Sequence, residues 1–180
     1  RWDVFPPRSE TAVSPTPAPI SWFDMRRVGY WKLDSLNQAY GVFDEIPEQN
    51  DGIISNVKEV DGKVNKAGSF MGTTDSYIDI TQNKQISQIT SNFTLDLWTY
   101  RYDTGSRAIA STTNNTDGGF GMFVGNKGEI YCRTSAGDGT YVDSYSSYYG
   151  DKRILANNGW HHVAIVKGEN YCNIYIDGQI

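Results

Sequence analysis

Apolar and polar residues alternate in short runs along most of the chain, a period of two that predicts strands with one buried face. In residues 171–176, for example, Cys172, Ile174 and Ile176 share one face. Turns rich in glycine, asparagine and aspartate separate the runs. The pattern predicts strands at 29–34, 53–58, 67–71, 76–80, 93–101, 106–112, 119–124, 128–134, 140–146, 160–167 and 171–176.

Strands this short, without long helical patterns between them, predict antiparallel sheets that pack face to face as a sandwich. The 180 residues are enough for one sizeable core. Alternation along each strand predicts which side chains form that core: Phe70, Ile78, Leu95, Leu97, Ile130, Ala164 or Ile165, Ile174 and Ile176.

The start of the chain has a different character. Five of the six prolines precede Ile20, in a segment without hydrophobic period that favours extended backbone. We predict a Pro-rich arm or linker at residues 1–27 and a single domain at 28–180. The arm is either a disordered tether or a segment that lies on a neighbouring subunit, and its four aromatic residues favour the second.

Charge and hydropathy exclude two classes of partner. The chain has 16 basic and 21 acidic residues, a net charge of −5, and its positive charge is not clustered, so a nucleic-acid partner is not expected. No apolar stretch is long enough for a membrane-spanning segment, so none is expected.

Several motifs, taken in order, resemble those of the laminin-G-like, concanavalin A-like jelly-roll domains. They are Tyr-Trp-Lys-Leu-Asp at 30–34, Asp-Gly-Lys to Ser-Phe at 61–70, Thr-Asp-Ser-Tyr-Ile at 74–78, Phe-Thr-Leu-Asp-Leu-Trp at 93–98, and Trp-His-His-Val-Ala at 160–164 followed by Tyr-Ile-Asp-Gly at 175–178. The resemblance implies an all-β, antiparallel two-sheet jelly-roll sandwich. It also implies strands beyond Asp177-Gly178, so we expect domain 28–180 to lack its final strands, which either continue in the polypeptide or come from a neighbouring chain.

The strand order of this family would place the Trp160 strand between the strands of Cys132 and Cys172. Direct bonding would then be out of range. We therefore predict two buried free thiols that pack as small hydrophobic side chains.

Enzymatic chemistry is not expected. Glucanases with this sandwich carry paired glutamates in the pattern Glu-x-Asp-x-x-Glu, and the nearest match, Glu59-Val60-Asp61-Gly62-Lys63-Val64, has valine in place of the second glutamate. The adjacent His161 and His162 point to opposite faces of a strand, so they cannot chelate one metal ion. We expect one of the two to lie in the core with its ring hydrogen-bonded.

The resemblance does imply a possible cofactor, calcium, held by aspartates at the rim of the sandwich. Asp75 occupies the matching position, and Asp44 and Asp51 could also approach a rim. The alternative is that Asp75 only caps its own turn.

The tyrosine-rich stretch 141–150 is the candidate binding surface, because tyrosines among serines and aspartates suit sugar stacking or a protein interface. The candidate residues are Tyr141, Tyr145, Tyr148 and Tyr149. In the alternative, Tyr141 and Tyr145 only pack on the sheet, and Tyr148 and Tyr149 cover its end.

Together these features predict a non-catalytic recognition module that binds a glycan or a protein outside the cell, at the cell surface or at a virion surface. The alternative is a structural or decoration subunit of a larger assembly, such as a phage or virion appendage, contacting its neighbours through residues 1–27.

Overall fold

The structure is a computed structural model that describes residues 27–37, 41–46, 50–80, 86, 89, 92–112, 119–135, 138–145, 155 and 158–180. The strands within these ranges are β1 (Ile53–Ser55), β2 (Val57–Asp61), β3 (Lys66–Phe70), β4 (Tyr77–Asp79), β5 (Phe93–Tyr100), β6 (Arg107–Ser111), β7 (Gly119–Val124), β8 (Ile130–Ser135), β9 (Tyr141–Tyr145), β10 (Trp160–Lys167) and β11 (Cys172–Ile176).

Two antiparallel sheets face each other and enclose the main core. One sheet has the order β11-β10-β5 and the other β6-β7-β8-β9, while β2 pairs with β3 and β1 with β4. The core between the two larger sheets contains Met122, Val124, Ile130, Cys132, Leu155, Val163, Ile165, Ile174 and Ile176. The predicted all-β, two-sheet sandwich is therefore confirmed.

Most of the predicted strands form, but the one at 29–34 does not, and that prediction was wrong. Polar groups of the next loop form hydrogen bonds with the backbone of this segment. The Tyr30 N–H donates to Asp44 Oδ1 at 2.8 Å, and the Tyr30 carbonyl accepts from Glu45 N at 2.9 Å. Leu33 has a φ of 59°, which interrupts any extended run. The predicted strand 53–58 is likewise divided into β1 and β2 at Asn56, whose φ is 47°.

The predicted core is largely confirmed. Ile130, Ile165, Ile174 and Ile176 are buried, and the half-buried Leu95 and Leu97 pack against them. Between the two candidates on β10, Ile165 is fully buried and Ala164 only half-buried.

Two further members of the predicted core lie in the small sheets. Ile78 is half-buried on β4, and Phe70 is 49% exposed, so its assignment to the core was wrong. Phe70 ends the two-stranded β2–β3 hairpin, where its ring lies along Gly68 and half of its surface faces solvent.

The two cysteines face each other across the sandwich. β8 belongs to one sheet and β11 to the other, so the prediction that the Trp160 strand separates them was wrong. Cys132 is buried, Cys172 is partly buried, and both are free thiols. The interaction with Cys172 lowers the pKa of Cys132, and the interaction with Cys132 together with burial raises the pKa of Cys172.

β11 lies at the edge of its described sheet. Whether further strands complete this edge stays a prediction, as do the division at residue 27 and the Pro-rich arm, whose residues 1–26 lie outside the described residues. Within the described part of the chain, no helix has the length and apolar character needed to cross a bilayer.

Candidate binding face

The outward side of the four-stranded sheet carries a continuous group of aromatic and charged side chains. On β8, Ile130 and Cys132 point into the core, so the alternate residues Tyr131 and Arg133 point outward. The cross-strand register places outward-facing partners beside them on β7 and β9. We call this surface the aromatic face, and its members are Phe123, Tyr131, Arg133, Tyr141, Asp143 and Tyr145.

Three rings form a row across β7, β8 and β9. Phe123 and Tyr131 are directly paired and stack with centroids 5.1 Å apart and planes 12° apart. Tyr131 is paired with Tyr145, with centroids 5.3 Å apart and planes tilted by 33°. Cross-strand aromatic pairs of this kind stabilise a sheet. Among the described strands β9 is the last in this order, and the row ends there with Tyr145, which is 43% exposed.

An ion pair forms the next row. The Nε and Nη2 atoms of Arg133 each donate to one oxygen of Asp143, both at 2.8 Å. The guanidinium lies 3.9 Å from the ring centroid of Tyr141 and 5.6 and 5.7 Å from those of Phe123 and Tyr131. Carboxylate on one side and rings on the others therefore hold the cation in one orientation.

Gly121 provides the room that this arrangement needs. It is the cross-strand partner of Arg133 on β7. A Cβ atom at this position would lie 2.4 Å from Cε2 of Phe123 and 3.0 Å from the Ser111 hydroxyl oxygen. The Phe123 ring therefore lies over bare backbone, where it can stack on Tyr131.

The electrostatics of the aromatic face follow from these contacts. The hydrogen bonds to Asp143 raise the pKa of Arg133, so the guanidinium is always charged. Burial raises the pKa of Tyr145, with the nearby charge of Asp143 as a second cause, so its hydroxyl stays protonated at neutral pH. The face thus combines exposed rings with a charge-balanced ion pair, which is suited to binding a ligand with both apolar and hydroxyl surfaces.

Two of the four predicted tyrosines lie on this surface. Tyr141 is 58% exposed and contacts Arg133, and Tyr145 completes the row of rings. Tyr148 and Tyr149 lie outside the described residues. The candidate site therefore keeps the predicted Tyr141 and Tyr145, whose role in binding stays a prediction.

The sequence interpretation missed four members of the aromatic face: Phe123, Tyr131, Arg133 and Asp143. The alternation in 128–134 contained a signal for two of them, because Tyr131 and Arg133 occupy the face opposite to Ile130 and Cys132. That signal does not reveal that β7 and β9 place their own aromatic residues beside them.

The predicted calcium ligands have other contacts. Asp44 Oδ1 accepts from the N–H groups of Tyr30 and Ile46, and its Oδ2 accepts from the backbone and side-chain nitrogens of Asn50. Both oxygens are thus saturated by donors, so Asp44 fits a role in organising its loop better than a role as a cation ligand.

Asp51 contacts the same loop, since its Oδ1 accepts from the N–H of Asp44 at 2.9 Å. At Asp75, hydrogen bonds from the Thr73 side chain, from backbone and from Asn56 lower the pKa of the carboxyl, as expected for a carboxylate that caps its turn. Within the described ranges, no three His, Cys, Asp or Glu side chains come together as a metal-binding group. Calcium binding stays a prediction.

The remaining candidates for chemistry are engaged in local structure. Glu59 Oε2 accepts from the N–H of Leu36 at 3.2 Å, and Asp61 pairs with Lys66 at 2.7 Å in the β2–β3 hairpin. His161 Nδ1 lies 2.7 Å from Asp177 Oδ2, which confirms the expected hydrogen bond of one histidine ring. Neither His161 nor His162 is buried in the core, so the expected core position was wrong.

Comparison with known proteins agrees with this architecture. A family model for the concanavalin A-like lectin/glucanases superfamily matches residues 72–180, more than half of the chain. The match includes all the strands of both large sheets and every member of the aromatic face. No curated protein matches the sequence.

Proposed function

Because the chain belongs to the concanavalin A-like lectin/glucanase superfamily, we propose that it is a non-catalytic binding module that recognises neutral glycans through its aromatic face. The observation that carries the proposal is the row of Phe123, Tyr131 and Tyr145 beside the Arg133–Asp143 pair. A partly exposed row of rings with polar tips is a common feature of recognition surfaces.

The rings match one part of a sugar. A pyranose has a face of C–H groups and a rim of hydroxyls, so its C–H face can pack on an exposed aromatic ring. Tyr141 and Tyr145 provide the most accessible rings, at 58% and 43% exposure. Their side chains lose little conformational freedom on binding, because cross-strand contacts already restrict them.

The ion pair is suited to the hydroxyl rim of the sugar. Arg133 Nη1 donates no hydrogen bond to the described residues, since the bonds to Asp143 use Nε and Nη2. The proposal assigns this donor to a sugar hydroxyl beside the rings. Because Asp143 balances the charge of Arg133, the proposal favours neutral sugars over sialylated or sulfated ones.

The proposal includes the absence of catalysis and a location outside the cell or on a surface. Val64, where a retaining glucanase would need its second glutamate, is 68% exposed in the β2–β3 turn, and this supports a non-catalytic role. The location is part of the proposal because neutral glycans are displayed on cell surfaces and outside cells. The alternative role, as a structural or decoration subunit, rests on residues 1–27, nearly all of which lie outside the described residues.

A glycan array followed by calorimetric titration of the best neutral oligosaccharide tests the proposal. Tyr141→Ala should weaken binding about tenfold or more, because it removes a stacking ring and a contact of Arg133. Tyr141→Phe should keep most of the affinity. Tyr102→Ala is the matched control, since Tyr102 is 70% exposed and contacts Tyr100 of the opposite sheet, away from the aromatic face.

Equal affinity in Tyr141→Ala and the wild type would contradict the assignment of the site. An array without any glycan signal would contradict the ligand class. Release of reducing sugar from a β-glucan, abolished by Glu59→Gln, would contradict the non-catalytic role.

A further inference from the structure

The contact between Cys132 and Cys172 carries an inference that does not depend on glycan binding. Facing sheets normally lie about 10 Å apart, but Cα atoms of β8 and β11 approach within 8 Å of each other. Cys132 belongs to the buried core cluster and Cys172 packs against that cluster from the opposite sheet. Each thiol shifts the pKa of the other, which indicates that the two groups lie close together.

We propose that Cys132 and Cys172 are a site of oxidative modification, at which a disulfide forms between the two sheets when the protein meets a low-molecular-weight disulfide such as oxidised glutathione. A disulfide joins Cα atoms about 4.4–6.8 Å apart. Cα atoms of β8 and β11 approach within 8 Å, so reaching this range requires a smaller movement than the usual spacing of about 10 Å between facing sheets would.

The surroundings favour the first step of the exchange. Lys167 is the cross-strand partner of Cys172, and its positive charge, after the interaction with Cys172, is a further cause of the lowered pKa of Cys132. A thiolate at Cys132 is the nucleophile that exchange needs. Cys132 is 1% exposed, so a reagent reaches it when β11 separates from the facing sheet or while the chain is folding.

The exchange balances as two substitutions at sulfur. The Cys132 thiolate attacks one sulfur of the glutathione disulfide, forming a mixed disulfide and releasing one glutathione thiolate. Cys172 then loses its proton and attacks the Cys132 sulfur, forming the protein disulfide and releasing the second glutathione thiolate. The two cysteines lose two electrons and two protons, and the glutathione disulfide is reduced to two glutathione molecules.

The disulfide would join the two sheets of the sandwich through the core. A bond from β8 to β11 closes a loop of about 40 residues, which restricts the unfolded chain far more than the folded one. The oxidised protein should therefore melt about 8–16 °C above the reduced protein.

The test uses the wild-type chain, reduced and then incubated with oxidised glutathione in urea below the unfolding transition. Alkylation under denaturing conditions and mass spectrometry should find no free thiol, and a protease digest should contain the peptides of Cys132 and Cys172 joined. The higher melting temperature should return to the reduced value when dithiothreitol is added.

Cys172→Ala is the control variant, because Cys172 is only partly buried and its loss leaves a smaller cavity than loss of Cys132 would. The variant should keep one alkylatable thiol or carry one glutathione, and its melting temperature should not rise with oxidant. The proposal is overturned if both wild-type thiols are still alkylated, if disulfides form only between chains, or if the oxidised monomer melts at or below the temperature of the reduced one.

Discussion

The ion pair at the centre of the aromatic face allows a quantitative test of how this surface is held. In Asp143→Asn the side-chain shape is kept but the charge is lost, so Arg133 is left without its counter-ion. The side chains of Arg133 and Asp143 are 29% and 12% exposed, which lies between the exposed and the fully buried cases. Breaking an exposed pair costs below about 1 kcal/mol, and breaking a buried pair costs about 3–5 kcal/mol. We therefore expect a loss of about 1.5–3 kcal/mol in the free energy of unfolding.

Urea denaturation of the two proteins measures this loss, with an unchanged m value as the sign that the unfolded state is unaffected. Asp61→Asn is the matched control. The Asp61–Lys66 pair has a similar nitrogen–oxygen distance, 2.7 Å, but its side chains are 93% and 44% exposed. Its removal should leave stability unchanged within error. If Asp143→Asn is as harmless as the control, Arg133 is not fixed by its carboxylate, and the explanation of the face as a preorganised surface fails.

Three further substitutions test other parts of the structure. Gly121→Ala should move the Phe123 ring, because the new Cβ would lie 2.4 Å from Cε2; glycan affinity should fall while the fold is kept, and unchanged affinity in titration would contradict the role of this ring. Ile165→Ala should lower the free energy of unfolding by about 2–5 kcal/mol, because Ile165 is fully buried between the sheets; a loss below about 1 kcal/mol would mean that the core lies elsewhere. The hydrogen bond with His161 lowers the pKa of Asp177 in the folded protein from its ordinary value of 3.8. The contribution of this hydrogen bond to stability is therefore complete above pH 3.8, and it is lost as the pH falls through the lower pKa of the folded state. Asp177→Asn should thus destabilise the protein well above pH 3.8 but have little effect well below it, and an equal effect at both pH values would contradict this linkage.

The alternation of side chains predicted which face of each core strand is buried, because that property is local. Ile174 and Ile176 are buried as the period of two requires. The same rule places Tyr131 and Arg133 outward on β8. This much of the candidate site could be read from the sequence.

The neighbours of each strand could not be read in the same way, because strand order and sheet assignment are decided by contacts distant in sequence. The contact between Cys132 and Cys172 depends on β8 and β11 lying in opposite sheets, and no local pattern determines that. The missing strand at 29–34 has a similar cause, since the backbone of Tyr30 bonds to side chain and backbone atoms of the loop at 44–45. Asp44 accepts the hydrogen bonds that organise that loop, and its role as a metal ligand stays a prediction.

The most direct test of the proposed function is to map the bound glycan by amide chemical-shift changes in an isotope-labelled sample. The account predicts that the largest changes occur on the outward residues of β7, β8 and β9, with Arg133 and Tyr141 among them. The outer side of the opposite sheet also has an exposed aromatic residue, Trp98, paired with His162 and 47% exposed. Changes centred on Trp98 and His162, with the aromatic face unaffected, would contradict the central claim.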